Sequence, residues 1–204
     1  MVCEPAGCLI QFAKAPVPGR AKTRLHSRLG EEGAAALSSR IICAVSAALD
    51  CLAPDWLSVL CADDPRHALF VSLCESGGRD LWEQGEGDLG ERMARACDRA
   101  LHVAPAVILV GSDCLGYDPG YLESAVRLLE SGVPAVLGPA TDGGYVLLGL
   151  RQRPPGVFDG IAWGGAQVAA QQRARLRECG LGWRELPPRA DVDRPGDLWM
   201  VTSR

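Results

Sequence analysis

The sequence predicts an α/β three-layer sandwich, a mostly parallel central sheet with helices on both faces. Three observations predict it. Short apolar runs alternate with amphipathic stretches of roughly 10–20 residues along nearly the whole chain, the pattern of strands joined by crossover helices. The apolar runs stop at Gly, Pro, Ser or Asp, where buried strands meet their loops. The 204 residues, 48% hydrophobic and 23% charged, suit one domain (1–204) that needs neither disulfide nor metal as a staple.

The elements follow in order. Residues 8–13 read as a buried strand feeding a Pro/Gly-rich loop over 15–19. Residues 31–52 form a helix, with Leu37, Ile41, Val45 and Leu49 on one face and two acids in its first turn. A strand over 56–62 precedes a short helix over 66–75 that ends at Gly77-Gly78, and a weak strand covers 79–84. Leu89, Met93, Cys97 and Leu101 mark an amphipathic helix. A β-branched strand over 107–111 stops at Ser112-Asp113. A helix over 121–131 follows, then strands over 135–137 and 145–150 around Thr141-Asp142-Gly143-Gly144. A polar helix over 166–179, a strand over 183–186 and a helical turn over 195–201 complete the chain.

Composition excludes several function classes. The charge sum is −4 and the pI about 5.4, so a nucleic-acid partner is not expected. The longest apolar run, 41–49, stops at Asp50, well short of the roughly 18 residues of a membrane span, and Glu4 stands where a signal peptide would be basic. No membrane partner is expected. The nine cysteines are odd in number and form no C-x-x-C pair, which predicts reduced, buried thiols in a cytoplasmic protein rather than a zinc site.

In an open parallel sheet, ligands bind beyond the carboxyl ends of the strands, so the loops after Ala13, Ala62, Gln84, Gly111 and Leu137 carry the functional information. The first stands out. Of 21 basic residues 19 are arginine, and the two lysines, Lys14 and Lys22, both fall in it, with Arg20, Arg24 and Arg28. Gly19 permits close approach of backbone, the prolines stiffen the loop, and backbone N–H groups, the Thr23 hydroxyl and the cations Lys14, Arg20, Lys22 and Arg24 suit a pyrophosphate. The spacing matches neither a Walker A loop nor G-x-G-x-x-G; the alternative is a solvated basic turn.

Asp113 closes the most hydrophobic strand, and a carboxylate there suits Mg²⁺, which takes one or two carboxylates and fills its octahedron with diphosphate oxygens and water. Its alternative is a helix N-cap. Asp191 and Asp193 lie on one face of an extended segment, with capping of the 195–201 turn as the alternative for Asp193. Asp88, with Glu91 three residues on, predicts a capping box. Asp142-Gly143 is a tight-turn signal and reads equally as a plain hairpin.

The blocks FAKAPVPGRAKTRL, QGEGDLGERM, GSDC, PATDGGYVLLGL and DVDRPGDL, in that order, resemble a bacterial family of glycosyltransferases with the GT-A, nucleotide-diphospho-sugar transferase fold. That family is associated with radical-SAM and selenium-domain proteins or with arsenosugar biosynthesis. The resemblance runs from about residue 9 to 198, and the first and fourth blocks are its specific ones. More distant similarity extends to nucleotidyltransferases that activate sugar phosphates.

The resemblance implies a nucleotide-sugar or nucleotide as ligand, Mg²⁺ or Mn²⁺ as cofactor and a small-molecule acceptor. It places Gln84 and Gly90 at the nucleobase, Asp193 as second metal ligand with Asp191 as fallback, and Gly143, Gly144, Tyr145 and Trp163 beside the acceptor, with the two rings stacking on it. Asp142 would orient or deprotonate the acceptor hydroxyl, and Lys22 with the metal would neutralise the leaving group. Two departures from the pattern stand out: Leu115 replaces a usual Pro after GSDC, and Gly164-Gly165-Ala166 replaces a Ser or Gly followed by Thr. Glycosyl transfer leads; nucleotidyl transfer from an NTP to a phosphorylated acceptor and a non-catalytic nucleotide-binding module are the alternatives.

Overall fold

Seven apolar segments pair into one sheet in a computed structural model that describes residues 4–50, 52, 55–114, 117–193 and 195–198. The elements are β1 (Gly7–Ala13), α1 (His26–Asp50), β2 (Trp56–Ala62), α2 (Ala68–Gly77), β3 (Asp80–Glu83), α3 (Leu89–Leu101), β4 (Val107–Gly111), α4 (Pro119–Glu130), β5 (Ala135–Pro139), β6 (Tyr145–Leu150), α5 (Val168–Glu178) and β7 (Trp183–Glu185). The sheet order is β3-β2-β1-β4-β6-β5-β7. β1 pairs in parallel with both β2 and β4, β2 with β3, and β5 with β7, while β6 runs antiparallel to its neighbours β4 and β5. Chain order reverses direction between β1 and β4, which puts the switch point, and the crevice that accompanies it, beyond Ala13 and Gly111.

Period-2 alternation divides the core between the two faces. Leu9, Ile108, Val136 and Leu147 pack against α1 and α4, whereas Ile10, Leu109, Leu137 and Leu148 pack against α3 and α5. Phe70 and Cys74 of α2 close the β2 side. The span Thr23–Asp50 has the length and mean hydropathy, 1.3, of a membrane helix, although the longest unbroken apolar run in it is short. Half of its most apolar window is buried in the protein; Ile41, Val45 and Leu49 cover the sheet, the burial expected of a core helix. Gly30, at φ 69° and ψ 175°, interrupts helical geometry inside α1, so the continuous helix starts at Glu31, as the sequence predicts.

Helix ends follow their local chemistry. Asp88 and Glu91 form the expected capping box at α3. Asp118 caps α4 ahead of Pro119, which leaves Asp113 outside any helix cap. α2 starts two residues later than its sequence pattern suggests because the His67 ring accepts the Leu69 N–H.

A buried polar network crosses the middle of this frame. The Gln11 side chain, fully buried in β1, donates to the Ile42 carbonyl (3.0 Å) and the Ser112 hydroxyl (3.2 Å). It accepts from the Ser46 hydroxyl (2.7 Å) and from Arg79 (3.1 Å). Arg79, with no exposed side-chain surface, also donates to Asp50 and to the Ser46 carbonyl. The seven described cysteines are free thiols, and burial pushes Cys61 up to about 12; Cys3 and Cys51 lie outside the described residues. Removing one partner of a buried charged network costs about 3–5 kcal/mol, so Arg79→Ala is expected to lower unfolding free energy by about 3 kcal/mol in urea titrations. A loss below about 1 kcal/mol, a surface-like effect, would remove Arg79 from the network's essential members.

Candidate active site

The loop after β1 is fixed before any ligand arrives. Ala15 and Ala21 are buried, the Ala15 N–H donates to Asp63 at the end of β2 (2.6 Å), and a turn closes from Arg20 N and Ala21 N onto the Val17 carbonyl (3.0 and 2.9 Å). That turn leaves Gly19 and Arg20 exposed, and Thr23 is exposed as well, opening a 3-10 turn (Thr23–Leu25). None of the three lines the crevice; Lys14, Lys22 and Arg24 do. The pyrophosphate grip expected from the sequence therefore narrows to three cations.

Lys22 adopts φ 43° and ψ 50°, and among the described residues it is the one non-glycine with positive φ. Such left-handed geometry costs about 1 kcal/mol or more for a residue with a Cβ and persists where surrounding contacts enforce it. Those contacts are visible. The side chain is 4% exposed, and its ammonium donates to Asp113 Oδ1 (2.6 Å) and to the Val192 carbonyl (2.7 Å).

The C-terminal tail reaches this point by pairing with the end of β4. Cys114 and Asp191 form an antiparallel bridge, and Val192 N donates to the Asp113 carbonyl (3.1 Å). Asp191 Oδ1 is buried with no partner among the described residues. Burial, then the neighbouring Asp113 and Asp142 carboxylates, push the Asp191 carboxyl up to about 7; Lys22 opposes them. Asp193 instead ion-pairs with Arg24, and its N–H donates to Asp197. Among the described residues no three Asp, Glu, His or Cys side chains converge as a complete metal cage. What the site offers is a pair of carboxylates, Asp113 and Asp191, and that donor set suits a hard cation completed by diphosphate oxygens and water.

The crevice holds about 550 Å³. Gln84 lines it but is otherwise occupied: its amide hydrogens go to the Ala13 and Cys61 carbonyls (2.9 and 3.0 Å), stapling β1 and β2. Gly90 supports an aromatic wall, since a Cβ there would meet the Trp163 indole at 3.0 Å. Both residues back this end of the crevice, and the Gln84 oxygen, which accepts from Arg92 (3.5 Å), is the part of that amide left to meet a ligand. Asp63, Leu89 and Arg92 line the same end, and sequence reading had singled out the loop after Ala62 without naming Asp63.

Opposite them, Thr141-Asp142-Gly143-Gly144 does close a hairpin, with Ala140 N donating to the Gly144 carbonyl (2.9 Å). Asp142 spends one oxygen on the Gly144 N–H (2.9 Å). A Cβ on Gly143 would collide with the Ala166 carbonyl, and Ala169 N donates to the Gly143 carbonyl (2.9 Å), so the hairpin is locked to the 163–168 loop. Trp163 and Tyr145 meet edge to face at 6.3 Å, and the Tyr145 hydroxyl turns inward to Gln172 (3.3 Å). The two rings thus present their carbon surfaces to the crevice, which both line. Leu115 lies outside the described residues.

Comparison with known proteins follows the same lines. A family described as an uncharacterized protein conserved in bacteria (DUF2064) matches residues 49–165. The chain is similar to a protein of Desulfovibrio desulfuricans G20 provisionally named a nucleotide-diphospho-sugar transferase, with 32% identity, TM-score 0.86, and coverage of 97% of this chain and 86% of that one. It shares its fold with 4-diphosphocytidyl-2C-methyl-D-erythritol synthase of Anaerococcus prevotii (6% identity, TM-score 0.64, 97% and 96% covered). It also shares it with glucosyl-3-phosphoglycerate synthase of Mycobacterium tuberculosis, solved with Mn²⁺, UDP and glucosyl-3-phosphoglycerate (13% identity, TM-score 0.53, 97% and 76% covered). Among curated proteins none matches the chain at a significant level. The architecture is that of the nucleotide-diphospho-sugar transferases.

The Asp191 shift has a definite sign. A carboxyl raised in the folded state stabilises it fully below the unfolded value, 3.8, and that contribution disappears as pH rises through about 7. Metal-free protein in EDTA is therefore expected to lose stability as pH rises from about 4 to about 7 and to level off above that, and Asp191→Asn to flatten the loss. Thermal melts of both proteins across that range check it; parallel profiles would show that Asp191 titrates normally.

Proposed function

The chain belongs to the DUF2064 family, and we propose that it is a cytoplasmic, single-domain, metal-dependent transferase that moves a glycosyl group from a nucleotide-diphospho-sugar to a small-molecule acceptor. One observation carries the reading: at the β1/β4 switch point Lys14, Lys22 and Arg24 line the same crevice as Asp113 and Asp191, with Lys22 on Asp113 and one Asp191 oxygen buried and unpartnered among the described residues. Cations suit a diphosphate and carboxylates suit a divalent ion, and a metal that bridges the two would bring both sets to one ligand.

In this reading Asp113 and Asp191 hold Mg²⁺ or Mn²⁺; Asp193, the first expectation from the resemblance, positions Arg24 instead. The bound ion would supply charge neutralisation at the leaving nucleoside diphosphate. Lys14, Lys22 and Arg24 bind the same oxygens, in a setting fixed before the reaction, which is how electrostatic stabilisation acts at least reorganisation cost. The base lies toward Asp63, Gln84 and Arg92. The uncommitted oxygen of Asp142 accepts the acceptor's hydroxyl proton, and Tyr145 and Trp163 hold a sugar ring by its apolar face. The free cysteines suit a reducing compartment.

Glycosyl transfer is favoured over nucleotidyl transfer by the acceptor side. The described crevice residues from β6 and from 142–168 bring one carboxylate, two aromatic rings and no cation. A phosphorylated acceptor would face Asp142 with nothing to neutralise it. The same two motif blocks that single out the radical-SAM- or arsenosugar-associated branch support that finer placement.

The test is a screen of nucleoside diphosphates, nucleotide-sugars and NTPs by thermal shift, followed by product analysis. A ligand at one hundred times its Kd stabilises by about 2.7 kcal/mol, roughly 5–10 °C for a domain of this size. That shift is expected for one nucleoside diphosphate with Mg²⁺ or Mn²⁺, largely lost in EDTA. Release of nucleoside diphosphate from a nucleotide-sugar supports the proposal; release of pyrophosphate from an NTP installs the nucleotidyltransferase reading, and binding without turnover the non-catalytic one. Lys22→Ala is expected to weaken nucleotide binding by about 1.5–3 kcal/mol, while Arg66→Ala, 95% exposed at its side chain, should leave it unchanged.

A further inference from the structure

The Lys22 ammonium occupies a position that invites comparison with a metal ion. It sits 2.6 Å from Asp113 Oδ1 and 2.7 Å from the Val192 carbonyl, a carboxylate oxygen and a carbonyl oxygen of the kind that would ligate a hard cation. Its side chain is 4% exposed, and it is the cation that opposes the carboxylates of Asp113 and Asp142 where they act on Asp191. Arg24, the next cation, is committed to Asp193. The backbone that delivers the ammonium is held in a left-handed conformation, so the placement is built in and not a random pose of a flexible side chain.

We propose that Lys22 is the resident cation of this site, that it keeps free divalent metal out, and that the site therefore takes its metal only as the chelate with a nucleoside diphosphate. This rests on the metal-dependent reading above and adds to it the form in which the ligand enters. The Asp113 carboxylate is 62% exposed, but a free ion that reaches its Oδ1 meets the ammonium already on that oxygen, and like charges a few ångströms apart repel. A chelate brings diphosphate oxygens with it. Those oxygens give the ammonium new partners, so Lys22 can release Asp113 and stay neutralised. No bond is made or broken in the exchange; one charge-assisted hydrogen bond replaces another. Lys22 thus excludes free metal and binds diphosphate, two roles with opposite consequences on its removal.

The experiment measures free Mn²⁺ by its electron paramagnetic resonance signal during titration of purified full-length protein, alone and with each of UDP, GDP, ADP and CDP. The proteins are wild type, Lys22→Met, and the double variant Lys22→Met, Asp113→Asn, each checked for folding by its thermal melt. Lys22→Met keeps the buried carbon stem and removes the charge. It is expected to bind Mn²⁺ alone at least about tenfold more tightly than wild type, to bind the nucleotide chelate more weakly, and to lose the gain when Asp113→Asn is added. Equal Mn²⁺ affinity of wild type and Lys22→Met without nucleotide, while nucleotide recruits Mn²⁺ to wild type, overturns the gatekeeping role and leaves the transferase reading standing. A tightening that survives Asp113→Asn also overturns it, because the ion then binds elsewhere. Absence of Mn²⁺ binding in every protein and with every nucleotide overturns the metal-dependent reading itself, and this inference with it.

Discussion

A single buried amide, that of Gln11, fixes the parts of the molecule whose relative position matters most. Its two hydrogens and one oxygen reach α1, the residue after β4, and the guanidinium that precedes β3. Leaving any of these unpaired inside the core would cost about 1–3 kcal/mol each, so the network tolerates few arrangements. Ser112, held by Gln11, is followed directly by Asp113. The carboxylate at the mouth of the sheet is therefore aimed by a polar group in its interior, and the charge cluster of the crevice inherits its geometry from packing several ångströms below it.

Charge in the crevice is arranged as opposed layers. The loop after β1 brings cations and the β4 end with the tail brings carboxylates, and they meet through Lys22–Asp113 and Arg24–Asp193. Asp191 keeps one oxygen buried and without a partner among the described residues, with Asp113 and Asp142 pushing its carboxyl up and Lys22 opposing them. A buried oxygen without a partner is costly in a purely structural protein, and strongly perturbed groups of this kind concentrate where chemistry is done.

Much of this was legible in the chain. The strands over 56–62, 107–111 and 145–150 and the helix over 89–101 match the structure at both ends, because each combines a clean period with a stop signal at its boundary. The basic loop was legible from two lysines in an arginine-rich chain. What local pattern could not show were long-range commitments. Gln84 and Gly90 read as nucleobase residues; that one also staples two strands and the other makes room for Trp163 depends on partners far away in the chain. Asp193 and Asp191 are equivalent in sequence; only the position of Arg24, roughly 170 residues earlier, separates them. Arg79 gave no signal at all, since a lone arginine at the start of a weak strand looks like surface. The antiparallel course of β6 showed only in the Asp142-Gly143 turn signal, since its apolar run would serve either direction.

That antiparallel strand has a consequence for how such a molecule can diversify. β6 begins at the rim of the crevice and ends at the far end of the sheet, where Arg151 N pairs with the Pro134 carbonyl. The chain must then travel back over the α3 side of the sheet, burying Val157 and Phe158 on the way, before Trp163 reaches the crevice again. The charged half of the crevice is written into strand ends, whose positions the sheet dictates. The aromatic wall hangs on a return journey whose length and course the sheet leaves open. A change of length over 151–162 would move that wall in and out without touching a single strand, reshaping one side of the crevice while the other stays as it is.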